Sequence, residues 1–152
     1  MHKQFILGYV LTGALLLWSL VSSNFEFLFY GITTLILVAL LHTGQRHFNF
    51  GNKVLWGFNL WLILHILGGL LPVADGVLYS LVLVDLVPEP YSILKYDQLV
   101  HTYCYFIAAL LMWQVVSSLN KQNPQASFVT MSVITVLAAT GIGGINEIIE
   151  FM

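Results

Sequence analysis

Asp97 and His101 stand four residues apart, and Glu147 and Glu150 three apart, inside or against long apolar runs of a 152-residue chain. Spacings of three and four put each pair on a single face of a helix. A third run carries His65. An acidic or basic side chain at the centre of a membrane helix costs about 2.5 to 3.5 kcal/mol, so such residues face a partner, a cavity or an ion. Carboxylates and neutral imidazoles on facing helices can hold a divalent metal, with zinc, iron and manganese all suited. His65, Asp97, His101 and Glu147 are then the expected ligands. Glu150 is either a further ligand or the general base that activates a metal-bound water. The same groups can instead relay protons, because two carboxylates a few ångströms apart share a proton more cheaply than both ionise. Spacing alone does not choose. The chain has no His-Glu-x-x-His motif, no Glu-x-x-His pair and no set of histidine boxes.

The elements that must position these residues follow from composition. The chain is 59% hydrophobic and 8% charged, too few charges to cover a globular surface, which marks a polytopic membrane protein. A nucleic-acid partner is not expected. Lys3, Arg46, Lys53, Lys95 and Lys121 are scattered under a net charge of -2, with no basic cluster to displace counterions. No Gly-rich phosphate loop is present, which argues against ATP-driven work. The lone Cys104 excludes an intrachain disulfide and reads as a packing residue.

Five apolar runs approach the ~20 residues a helix needs to cross the hydrocarbon core. They predict an all-α transmembrane bundle forming one domain, with spans over about 5–22, 25–42, 54–71, 98–119 and 128–150. Continuous apolarity favours helices over the alternating strands of a barrel. Ser22 to Asn24 reads as a tight polar turn, Gly44 to Lys53 as a polar loop and Asn120 to Gln125 as another. The first run could serve as a signal peptide, but its apolar core is long for one and further spans follow directly. The stretch 76–88, interrupted by Asp85 and bracketed by prolines, is too short to span and is expected to be re-entrant or interfacial. Lys3, Arg46, Lys53 and Lys121 then share one side against Lys95. A sixth span would merely exchange Lys95 and Lys121, and either count places the N-terminus in the cytoplasm.

That topology brings His65, Asp97, His101, Glu147 and Glu150 to similar depth in the outer leaflet. Simpler roles exist for each. Asp97 suits a helix start and can bond His101 locally, Glu150 can be a solvated helix end, and His65 can be a satisfied interior histidine. His42 and His47 belong to the opposite end and read as interface anchors, with Trp18, Trp56 and Trp113 in the aromatic belt. Gly68-Gly69 and the glycines from Gly141 to Gly144 would let helices approach closely.

In order, His65-x-x-Gly68, Tyr79, Tyr96-Asp97-x-x-x-His101 and Glu147-x-x-Glu150 followed by an aromatic resemble the YjdF-like bacterial inner-membrane proteins. They are more loosely similar to VanZ-like proteins, which carry an Asp and His pair at a helix start. The resemblance covers about residues 60–151 and implies a prokaryotic cytoplasmic-membrane protein with no reaction assigned to its family. Two departures stand out. Asn146 replaces the aromatic that usually precedes the Glu pair, and family members continue past this point with another acidic segment and a span. On that comparison the chain is a shortened member or an incomplete chain, whose site would be open, incomplete or completed by another subunit.

The functional expectation is an integral membrane protein with a His/Asp/Glu site near the outer leaflet, acting as a metal-dependent enzyme on a lipid or other hydrophobic substrate. The alternatives are a small transporter or channel-like subunit that uses the same residues as a proton or ion relay, and a structural membrane subunit. The expected partners are the lipid bilayer and, beyond it, a second copy or an additional subunit.

Overall fold

The computed structural model describes residues 3–73, 76–87, 93–122 and 124–150, with the Glu150 side chain outside that description. Five long helices follow the five apolar runs: α1 Lys3–Val21, α2 Phe25–Phe48, α3 Asn52–Leu70, α4 Tyr96–Gln122 and α5 Phe128–Glu150. All five are long and apolar enough to cross a membrane. With nearly every helix surface facing hydrocarbon, apolarity alone cannot drive the helices together, so side-chain packing and polar contacts fix the arrangement.

The helices stand as neighbours in chain order, α1 against α2 and α3, α3 against α4, and α4 against α5. Phe5, Val38, Leu55, Phe58, Trp61, Leu62, Val100, Ile107 and Leu111 form the buried core, in which α3 contributes most. Apolar side chains such as Val10, Leu40, Val136 and Leu137 point outward, as a lipid-facing surface requires.

The turns differ from expectation in one place. Asn24 caps α2, its side chain accepting from the Phe27 N–H at 3.2 Å. The expected loop from Gly44 is instead the last turn of α2. That helix stops only at Asn49, whose left-handed backbone (φ 50°) ends it while its N–H donates to the Gln45 carbonyl. One glycine inside an otherwise helix-compatible stretch costs only about 1 kcal/mol, which neighbouring turns absorb. The Gly51 N–H then donates to Gln114 Oε1 of α4 at 2.7 Å, tying this turn across the bundle.

The connection between α3 and α4 contains no spanning helix among its described residues. Pro72–Val73 pairs antiparallel with Gly76–Val77, a short 3₁₀ turn covers Leu78–Ser80, and an extended stretch with exposed apolar side chains continues to Val87. The returning chain pairs Val82 with Lys95, and the Tyr96 N–H reaches the Leu81 carbonyl at 2.9 Å. Proline, glycine and β-branched valines in 72–77 disfavour helix. Residues 88–92, with the bracketing prolines, lie outside the described residues.

Candidate functional site

One end of the bundle gathers the start of α2, the end of α3, the α3–α4 connection, the start of α4 and the end of α5. Asp97 opens α4, and His101 follows one turn later on the same face. The His101 ring sits between two carboxylates, its Nε2 3.0 Å from Asp97 Oδ1 and its Nδ1 2.6 Å from Glu147 Oε1. The imidazole is 13% exposed, while Asp97 and Glu147 are 43% and 35% exposed, so the ring is sheltered and its partners are more open.

Glu147 reaches the ring because α5 comes close to α4 one turn earlier. The bare Cα of Gly143 receives the Tyr105 ring, which any β-carbon there would overlap, whereas Gly141 and Gly144 face open space.

Proton counting defines the set. A neutral imidazole has one N–H and one lone pair, and an ionised carboxylate only accepts. Asp97 and Glu147 ionised around a neutral His101 therefore make one hydrogen bond and carry two negative charges. A second proton, on the ring or on a carboxyl, makes both bonds and leaves one negative charge.

His65 lies in an adjoining aromatic cluster and is 5% exposed. Its ring stacks on Trp61 at 5.4 Å and meets the Tyr30 ring edge-on at 5.8 Å. The Tyr79 hydroxyl lies 2.5 Å from His65 Nδ1 and 2.9 Å from the His65 carbonyl oxygen. Tyr79 comes from the 3₁₀ turn and lays its ring over Gly68, where a β-carbon would overlap it. The Tyr96 ring flanks Tyr79 at 6.2 Å, and its hydroxyl donates to the Leu64 carbonyl at 3.1 Å. Tyr30 in turn donates to Glu26 at 3.1 Å.

Asp97, His101 and Glu147 thus come into direct contact, and His65 stands in its own cluster at the same end. The Glu150 backbone closes α5, but its side chain lies outside the described residues. Among the described residues no group of three or more His, Cys, Asp and Glu side chains is arranged to hold a metal. Asp97 and Glu147 approach different nitrogens, which point away from one another, so the three side chains share no common focus.

Sequence reasoning passed over Glu26, Tyr30 and Trp61. Glu26 and Tyr30 carry the same four-residue spacing that marked Asp97 and His101, and an acidic residue at the mouth of an apolar run was the available signal. At the opposite end His42 is half-buried, stacked on Phe5 at 4.7 Å with Nδ1 3.1 Å from the Tyr9 hydroxyl. It joins α1 to α2.

No curated protein and no solved structure matches the chain. A family model does, described as a predicted membrane protein (DUF2238) and matched over residues 4–152. That description is broader than a YjdF-like or VanZ-like assignment and names no reaction. A five-helix membrane chain matched along nearly its whole length in this way belongs to the DUF2238 family of predicted membrane proteins.

Proposed function

We propose that Asp97, His101 and Glu147 form a proton-handling site at the outer face of a small multi-pass cytoplasmic-membrane protein of prokaryotic type, serving as a relay for proton or cation movement. The observation that carries this reading is the imidazole held between two carboxylates on two different helices. An imidazole so placed accepts a proton from one side and releases it to the other. Two carboxylates beside one ring favour a proton or a cation there. Lys3, Arg46, Lys53 and Lys121 at the opposite end, against Lys95 at this one, support a cytoplasmic N-terminus. The likeness to YjdF-like proteins agrees with the membrane.

The test is proton flux into liposomes holding purified protein and a trapped pH-sensitive dye. A potential-driven flux that falls at least tenfold in His101→Gln and Glu147→Gln supports the relay. Equal flux in wild type, variants and empty liposomes removes it.

A metal-dependent enzyme acting on a lipid or hydrophobic substrate is the second reading, favoured by the presence of two carboxylates and two imidazoles at one end of the bundle. His65, Asp97, His101 and Glu147 would be its ligands and Glu150 its general base. Elemental analysis of protein purified without chelator decides it: stoichiometric zinc, iron or manganese lost in a His101→Ala, Glu147→Ala double variant supports the metal, and none in either protein removes it.

A further inference from the structure

We infer that the basic end of the bundle binds anionic phospholipid headgroups through Lys3, Arg46 and Lys53. Charge is sorted between the two ends of the chain. No Asp or Glu occurs in residues 1–25, 27–74 or 98–146, so the N-terminus, the α2–α3 turn and the α4–α5 connection carry no acid. The same end holds Lys3, Arg46, Lys53 and Lys121, all exposed and none in an ion pair among the described residues. Two cross-links set the level of these cations. Gln4 Nε2 donates to Asn52 Oδ1 at 3.3 Å, which places Lys3 beside the start of α3, and the Gly51 bond to Gln114 marks the same level on α4.

Arg46 lies in the last turn of α2 and Lys53 in the first turn of α3, with only residues 49–51 between the helices. A turn this short cannot rise far from the helix ends, so both cations stay where the helices leave the hydrocarbon. Exposed Trp56, one helical turn inward from Lys53, marks that interface from the apolar side. Lys121 differs. It follows Gln114 by seven residues of α4 and stands ~10 Å beyond the level of the other three. Cations held at headgroup depth, with no carboxylate in their own end of the chain, meet lipid phosphates first. Lys3 and Lys53 supply point charges, and Arg46 a planar fork that takes two phosphate oxygens. Each basic residue near an anionic membrane surface is worth about fivefold in local binding. A soluble acidic partner would have to reach these three across the headgroups. The inference goes beyond the proton-handling reading and does not depend on it.

The experiment is electron paramagnetic resonance of full-length protein in phosphatidylcholine vesicles at low salt, with a trace of spin-labelled phosphatidylglycerol or spin-labelled phosphatidylcholine. The association constants are expected to favour phosphatidylglycerol by at least about twofold, and the preference to fall toward one in about 0.5 M sodium chloride, where charges are screened within a few ångströms. The triple variant Lys3→Gln, Arg46→Gln, Lys53→Gln is expected to lose the preference while keeping its helical circular dichroism, and Lys121→Gln to retain it. Arg46→Gln alone, expected to lower the preference part-way, decides the matter if the triple variant does not fold. Absence of a preference in the wild type, which would leave these cations to a soluble partner, overturns the inference. So does a preference that survives the triple variant, is unchanged in Arg46→Gln, or is lost in Lys121→Gln.

Discussion

Gly143 and Tyr105 occupy one contact, the bare backbone of α5 against a ring of α4, and it lies one helical turn before the carboxylate that reaches His101. The helix crossing and the site are therefore set by the same residue. Gly143→Ala is expected to destabilise the protein by about 1–3 kcal/mol through overpacking. Gly141→Ala, in open space, is expected to be neutral or to stabilise by up to about 1 kcal/mol. Thermal unfolding in one detergent ranks the two, and the reverse order would disprove the contact.

His101→Ala leaves Asp97 and Glu147 without the ring between them. The ring's hydrogen bonding to charged groups is lost; one such bond is worth about 1.5–3 kcal/mol in sheltered settings, and the part-exposure of both carboxylates places the loss near the low end of that range. Glu147→Gln in the His101→Ala background should then cost less than it does alone. A double-mutant cycle by thermal or denaturant unfolding reads the coupling, expected between about 0.5 and 3 kcal/mol. Strict additivity would show that the two side chains do not interact.

Asn59 donates to the Leu55 carbonyl at 2.9 Å, but its buried Oδ1 has no hydrogen-bond partner among the described residues and lines a cavity of about 10 Å³ beside Gly8. A buried unpaired amide oxygen costs about 1–3 kcal/mol and the single hydrogen bond returns about 1 kcal/mol. Asn59→Leu should therefore leave stability unchanged or raise it by up to about 2 kcal/mol. A clear fall in the unfolding temperature would mean that the oxygen is paired.

Orientation is checked by single cysteines in a Cys104→Ser background. Leu86→Cys, in the exposed α3–α4 connection, should react with a membrane-impermeant maleimide added to intact cells. Asn49→Cys, in the turn after α2, should react only after the cells are opened. The opposite pattern inverts the topology.

The five spans were legible because a membrane helix announces itself by length and continuous apolarity, and the Asp97–His101 pair because its spacing is local. Glu147 at His101 required the topology as well, since only alternating helix directions bring residues 46 positions apart to one depth. Composition hid other features. The continuation of α2 through Gly44 depends on one glycine being tolerated in a favourable turn. The lack of an α-helix over 72–73 and 76–87 depends on Pro72, Gly76 and valines that an apolar count treats like leucine. The contact of Tyr79 with His65 joins a loop to a helix interior, and nothing periodic marks it. Trp61 looked like any core aromatic until its ring was found stacked on the imidazole.

Glu147 belongs to α5, whereas Asp97 and His101 belong to α4. A chain made from its N-terminus therefore inserts Asp97 and His101 before Glu147, and the Glu147 carboxylate reaches the ring only when α5 docks on α4 through Gly143. The contact between imidazole and second carboxylate is thus a reporter of whether these two helices have come together.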